Sequence, residues 1–144
     1  MIKTSKGMTL IAALIVIAII AILYSIAAAQ VTSMQMDAKI ARAKGDLKTL
    51  KYALDSHLKG NRYCPRNCDY QRILSYEKPT VIFCDLYDPF GKSVNSMYPY
   101  ETSANRENYV VYSVGLQMNG KAIIGNDGRV LIKGSPIFET NGYD

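Results

Sequence analysis

A chain of 144 residues falls in the size range of one domain, and 49% of it is apolar, but the apolar side chains are unevenly spread. The formal charge of +5 includes Lys3 and Lys6 near the start, and beyond residue 29 the 15 basic and 12 acidic residues are dispersed. That balance is too weak to argue for direct nucleic-acid binding, which needs Lys and Arg clustered on one face, and none is expected. One histidine, His57, with no paired carboxylate beside it and no phosphate-binding glycine loop, leaves no nucleophile or acid–base set to assemble, so no enzyme is expected.

Residues 8–29 are a block of 22 without charge, whose only polar side chains are Thr9, Tyr24 and Ser25. As a helix rising about 1.5 Å per residue, the block covers about 33 Å, enough to cross a hydrocarbon core of about 30 Å. A secretory signal peptide is the alternative, with Ala27, Ala28 and Ala29 as a small-residue cleavage site. Its apolar core is typically shorter, about 7 to 15 residues.

Beyond the block the pattern becomes periodic. Ile40, Ala43, Leu47, Leu50, Leu54 and Leu58 recur at three or four residues and define one helical face. Lys39, Arg42, Lys44, Asp46, Lys48, Lys51 and Asp55 are expected on the opposite face, in water. Gly45 is a weak point. No proline interrupts residues 8–59, and Gly60 with Asn61 is expected to stop the helix. The simplest expectation is one helix of about 50 residues; two helices with a break at residues 30–33 are the alternative. His57 is expected at the surface or the helix end.

From Gly60 the composition turns to Tyr, Asn, Pro, Gly and short β-branched runs, the chemistry of strands and turns. Ile73, Leu74, Val81, Ile82 and Phe83 are expected to add to a core, although residues 61–86 carry no legible fold. Asp88-Pro89-Phe90-Gly91 reads as a turn. Residues 109–115 read as a strand ended by Gly115, and residues 121–124 and 129–133 flank a Gly125-Asn126-Asp127-Gly128 hairpin loop. Three strands in series predict a small antiparallel sheet that buries the stripe of the helix. The eleven tyrosines are expected to serve packing and interfaces.

Cys64, Cys68 and Cys84 fit one disulfide and a leftover thiol, with three free thiols as the alternative. Cys64 with Cys68 is the expected pair, because a segment rich in Tyr and Ile separates Cys84 from both; pairing of Cys84 with either stays open. A structural zinc site would need four ligands, and His57 lacks the usual paired spacing to Cys64.

The junction Lys6-Gly7-Met8-Thr9-Leu10-Ile11, with the unbroken apolar run after it, resembles the type III leader of type IV pilins and pseudopilins. In that family a short basic leader ends in Gly, a membrane-embedded prepilin peptidase cuts after it on the cytoplasmic side, and the new first residue is N-methylated. The resemblance implies a leader over residues 1–7, cleavage after Gly7 and methylation of Met8, with the anchor kept as the core of a filament. Asp46-Leu47-Lys48-Thr49-Leu50-Lys51-Tyr52-Ala53-Leu54, then Asn61-Arg62-Tyr63 and Pro65, look like the helix end and loop of the major pseudopilins of type II secretion. Asp88-Pro89-Phe90-Gly91 and Tyr112-Ser113-Val114-Gly115 are similar to that group's Asp-Pro-aromatic-Gly turn and Tyr-Ser-Leu-Gly strand end, and point to the pseudopilin G type.

The resemblance implies an α+β, type IV pilin-like fold: a transmembrane helix over residues 8–29, its amphipathic continuation over residues 30–59, and a periplasmic domain over residues 60–144 with a loop and a β-meander. It implies a structural subunit of a type II secretion pseudopilus, acting in protein export across the outer membrane. Its partners would be other copies or other pseudopilins, the prepilin peptidase and the inner-membrane assembly platform. The N-terminus would be cytoplasmic; that orientation rests on the resemblance, since Lys3 and Lys6 before the span are opposed by Lys39, Arg42, Lys44 and Lys48 after it. Alternatives are a type IV pilin or competence pseudopilin acting in adhesion, motility or DNA uptake, and a signal-anchored envelope domain that never polymerises.

The chain departs from the family pattern at two places. Calcium prefers six to eight oxygens, several from carboxylates, and the loop Leu116-Gln117-Met118-Asn119-Gly120 holds none where the G type has an Asp-rich loop. A plain hairpin without calcium is therefore expected there, with calcium the alternative. Ala12 stands at the fifth residue after the implied cut, where most members carry a Glu that meets a neighbour's methylated amine.

Overall fold

The structure is a computed structural model that describes residues 5–66, 70–76, 80 and 82–143, with the backbone alone for residues 5–8. Helix α1 (Ser5–Asn61) is unbroken over 57 residues. No break occurs at residues 30–33; Thr32 and Ser33 donate their hydroxyls to the carbonyls of Ala28 (3.1 Å) and Gln30 (3.0 Å), so they are satisfied within the helix. The stop lies later than expected. Gly60 and Asn61 are still helical, and Arg62 takes the left-handed conformation (φ 63°) while its N–H bonds Leu58 O at 2.8 Å.

The chain forms two compact units, Met1–Ala38 and Lys39–Asp144. The described residues of the first, from Ser5 on, are the leading part of α1. In the second, the stripe on α1 is the centre of the core: Ala43, Leu47, Leu50 and Leu54 are buried, with Ile40 and Leu58 packed at its edge. The opposite face needs correction. Lys39, Arg42, Lys44 and Lys48 are exposed, but Asp46, Lys51 and Asp55 are half-buried, since Lys51 and Asp55 find partners on the sheet and Asp46 finds Tyr98 just before it.

Strands β1 (Tyr100–Thr102), β2 (Tyr109–Ser113) and β5 (Ile137–Thr140) form an antiparallel sheet in the order β1-β2-β5. Strands β3 (Lys121–Ile124) and β4 (Val130–Lys133) pair as a separate antiparallel hairpin, with Ile123 opposite Leu131. The expected meander of three strands in series is thus incorrect: β2 lies between β1 and β5 and does not pair with β3. All five β2 residues are buried because both faces are covered. Tyr109 and Val111 join the helix-side core, while Val110 and Tyr112 pack with Ala122, Ile124 and Val130 of the hairpin. Helix, sheet and hairpin make three layers.

The turn at residues 115–120 consequently crosses between sheets instead of closing a plain hairpin. Gly115 sits at φ 73°, and a Cβ there would collide with Ser135 O; one on Gly120 would lie 2.6 Å from Val114 O. The Gly125-Asn126-Asp127-Gly128 loop is as expected, with Gly128 at φ 81° and Gly125 N donating to Arg129 O at 2.9 Å.

The illegible stretch contains α2 (Tyr70–Ser75). Gln71 is buried and bonds Leu86 twice, accepting its N–H at 2.9 Å and donating to its carbonyl at 3.0 Å, much as a strand neighbour would. Leu74 and Ile82 enter the core and Ile73 is half-buried, but Phe83 is 85% exposed, against expectation. Val81 lies outside the described residues.

Candidate functional site

No side chain of the apolar stretch of α1 is covered. Leu10, Ile11, Leu14, Ile15, Val16, Ile17, Ile19, Ile20, Ile22, Leu23 and Ile26 are each more than half exposed among the described residues. The helix is long and apolar enough to cross a membrane. Such a surface is compatible with lipid or with another apolar helix, since every backbone polar group inside it is already bonded along the helix. Ala12 lies exposed within the run and adds no polar atom. Gly7 and Met8 fall inside α1, which starts at Ser5, so the peptide bond after Gly7 is part of helical backbone.

The second half of α1 is fastened to the sheet by polar contacts as well as by its leucines. Tyr98 donates its hydroxyl to Asp46 Oδ2 at 2.9 Å, and Tyr109 donates to Asp55 Oδ1 at 2.6 Å. Lys51 Nζ reaches Glu139 Oε2 on β5 at 3.1 Å. Burial, then the hydrogen-bonded carboxylate, pushes the ionisation of Tyr98 and of Tyr109 well above the usual phenol range. Tyr70 and Tyr100 are raised too, chiefly by burial, and their rings stack with centroids 4.6 Å apart.

Asp88 is the hub of the domain's interior polar contacts. It is 4% exposed, and its carboxylate accepts from Ser113 Oγ (2.7 Å), Phe90 N (3.0 Å) and Val114 N (3.0 Å). Three hydrogen bonds to one buried carboxylate offset much of its desolvation. They also join the Asp88-Pro89-Phe90-Gly91 turn to the Tyr112-Ser113-Val114-Gly115 strand end. Sequence reasoning singled out both motifs and missed their contact, which nothing in the spacing signals.

Arg106 was missed as well. In the left-handed conformation (φ 59°), its guanidinium donates to Cys64 O from Nε (2.9 Å) and Nη2 (2.6 Å) and lies 4.5 Å over the Tyr63 ring. With Tyr100 donating to Pro65 O at 3.0 Å, it ties the loop after α1 to the β1–β2 turn. His57 is near the helix end but buried (4% exposed), edge-on to Tyr63 and 3.2 Å from Asn61 Nδ2, so its expected place at the surface is corrected.

Cys64 is a buried free thiol, its ionisation pushed up by burial, and Cys84 is an exposed one, so these two are not bridged. The expected Cys64–Cys68 pair falls on Cys68, outside the described residues. In the 116–119 loop the side chains are exposed, and the loop is closed by its own backbone, Met118 N to Gly115 O and Gly120 N to Val114 O. Among the described residues no group of three or more His, Cys, Asp or Glu could hold a metal ion. Compared with protein-family models, curated proteins and solved structures, the chain finds no match in any of the three.

Proposed function

We propose that this chain is a membrane-anchored structural subunit of a type II secretion pseudopilus, made as a precursor and assembled with other pseudopilins into a short filament that serves protein export. The observation that carries this reading is α1 itself: one unbroken helix, bare and apolar in its first part and buried under a sheet in its second. A bare apolar helical segment can be held by lipid before assembly and by neighbouring helices after it. The contact between Asp88 and Ser113 supports the same reading, because the two motifs that resemble the G type form one structural unit.

In this reading residues 1–7 are the leader, cut after Gly7 by the prepilin peptidase and leaving a methylated Met8. The domain lies on the periplasmic side, the subunit meets the inner-membrane assembly platform, and it needs neither cofactor nor catalytic residue. Ala12 leaves a neighbour's amine without a compensating carboxylate in an apolar core, where an unpaired charge costs several kcal/mol, so the subunit co-assembles with partners that carry Glu at this position. Intact mass and N-terminal sequencing of the protein recovered from membranes test the processing. A chain starting at Met8 supports the proposal, and one starting near Gln30 makes the apolar run an ordinary signal peptide.

A further inference from the structure

Residues 8–36 of α1 carry no charged side chain. At about 1.5 Å each, these 29 positions extend about 43 Å, which matches the roughly 40–45 Å of a bilayer with its headgroup layers better than the hydrocarbon core alone. The composition shifts to suit that outer zone: Gln30, Thr32, Ser33 and Gln35 alternate with exposed Val31, Met34 and Met36, and the Thr32 and Ser33 hydroxyls are satisfied within the helix.

Charge returns at Asp37 and is then mostly positive, with Lys39, Arg42, Lys44 and Lys48 inside ten residues. All four are exposed. Lys39 and Arg42 are i,i+3 neighbours on one side of the helix, Lys44 and Lys48 are i,i+4 neighbours on another, and the buried stripe with Ala43 and Leu47 runs between them. Asp46, the acidic residue among them, is turned toward the sheet, with one oxygen taking the Tyr98 hydroxyl and lying 3.6 Å from Arg42 Nε. A Cβ added at Gly45 meets nothing within 4 Å, so the described chain leaves this side of the helix open.

We propose that Lys39, Arg42, Lys44 and Lys48 form a collar that binds the headgroups of anionic phospholipids. The proposal rests on the membrane-anchored reading and adds the kind of lipid that the anchor selects. Charge complementarity names the occupant, because the collar follows directly on an uncharged run of bilayer length. Helical side chains lean toward the N-terminal turn, which is the side of the apolar run, and long basic stems bring their charges back along it.

The test places the full chain in phosphatidylcholine bilayers containing spin-labelled phosphatidylglycerol or spin-labelled phosphatidylcholine and compares the lipid immobilised at the protein. Phosphatidylglycerol should be enriched about fivefold or more, the factor that one basic side chain near an anionic surface supplies. High salt should bring that enrichment close to one, and Lys39→Gln, Arg42→Gln, Lys44→Gln and Lys48→Gln together should remove most of it. Lys3→Gln with Lys6→Gln should leave it in place. Equal immobilisation of the two lipids overturns the proposal, as does enrichment that the fourfold change leaves undiminished or that vanishes with the Lys3 and Lys6 changes. A chain that stays out of the bilayer contradicts the anchor as well, whereas one that enters without lipid preference contradicts the collar alone.

Discussion

Ser113 donates its hydroxyl to Asp88 across 2.7 Å and 25 positions of sequence, and neither side chain reaches water. The pair fixes the turn before β1 against the end of β2. Asp88→Ala leaves the Ser113 hydroxyl and two backbone N–H groups unbonded in the interior and should cost about 3 kcal/mol or more. Ser113→Ala removes the bond to Asp88 and the longer one that Ser113 Oγ accepts from Gly115 N (3.3 Å), and should cost about 1 to 2 kcal/mol. Urea unfolding of the two variants and of the double variant checks this: the double change should cost less than the sum, and strict additivity would mean the two side chains act independently.

Leu54 is 1% exposed on the face of α1 that the sheet covers. Leu54→Ala should destabilise the Lys39–Asp144 unit by about 2 to 5 kcal/mol, the range for deleting a buried leucine side chain. Denaturant midpoints measure it. A loss under about 0.5 kcal/mol, the size expected at an open surface, would mean that this face is uncovered.

Gly45 gives the opposite sign. It is helical, exposed, and has open space where a Cβ would go. Gly45→Ala should therefore stabilise the same unit by about 0.5 to 1 kcal/mol, by restricting the unfolded chain and raising helix propensity. If the thermal midpoint rises while filament formation fails, the open side at Gly45 is where a neighbouring subunit packs.

The buried tyrosines set an alkaline limit. Tyr70, Tyr98, Tyr100, Tyr109 and Tyr112 hold their phenol protons to higher pH than the unfolded chain does, chiefly because of burial. Stability from them is therefore complete below the unfolded value of about 10 and is lost as pH rises above it. Absorbance at 295 nm and far-ultraviolet circular dichroism, followed together above pH 10, should show these phenols ionising in the same transition that unfolds the domain. Ionisation of all five with the fold intact would contradict their place in the core.

The parts of the fold set by local chemistry were legible in the sequence. The uncharged run, the stripe from Ile40 to Leu58 and the β3–β4 hairpin all follow from periodicity or turn residues within about a dozen positions. What escaped depends on distant partners. β2 is buried on both faces, so Tyr109 to Ser113 show no alternation that would reveal its neighbours, and β1 and β5 are too short to stand out. Asp46 and Asp55 look like solvated charges on a helical wheel, and only the positions of Tyr98 and Tyr109 turn them inward. At the candidate site, the bare apolar run was readable, whereas the joining of the two short motifs through Asp88 was not.

Assembly is the central claim, and imaging of the assembled product tests it most directly. The chain, expressed in a bacterium that supplies a prepilin peptidase and a type II assembly platform, should be found in sheared filaments when pseudopilins with Glu at the position of Ala12 are present. Alone, it should form few or none, and Ala12→Glu should restore them. Absence of the chain from filaments under every one of these conditions, with the protein folded in the membrane, would contradict the account and leave a domain that is anchored but does not polymerise.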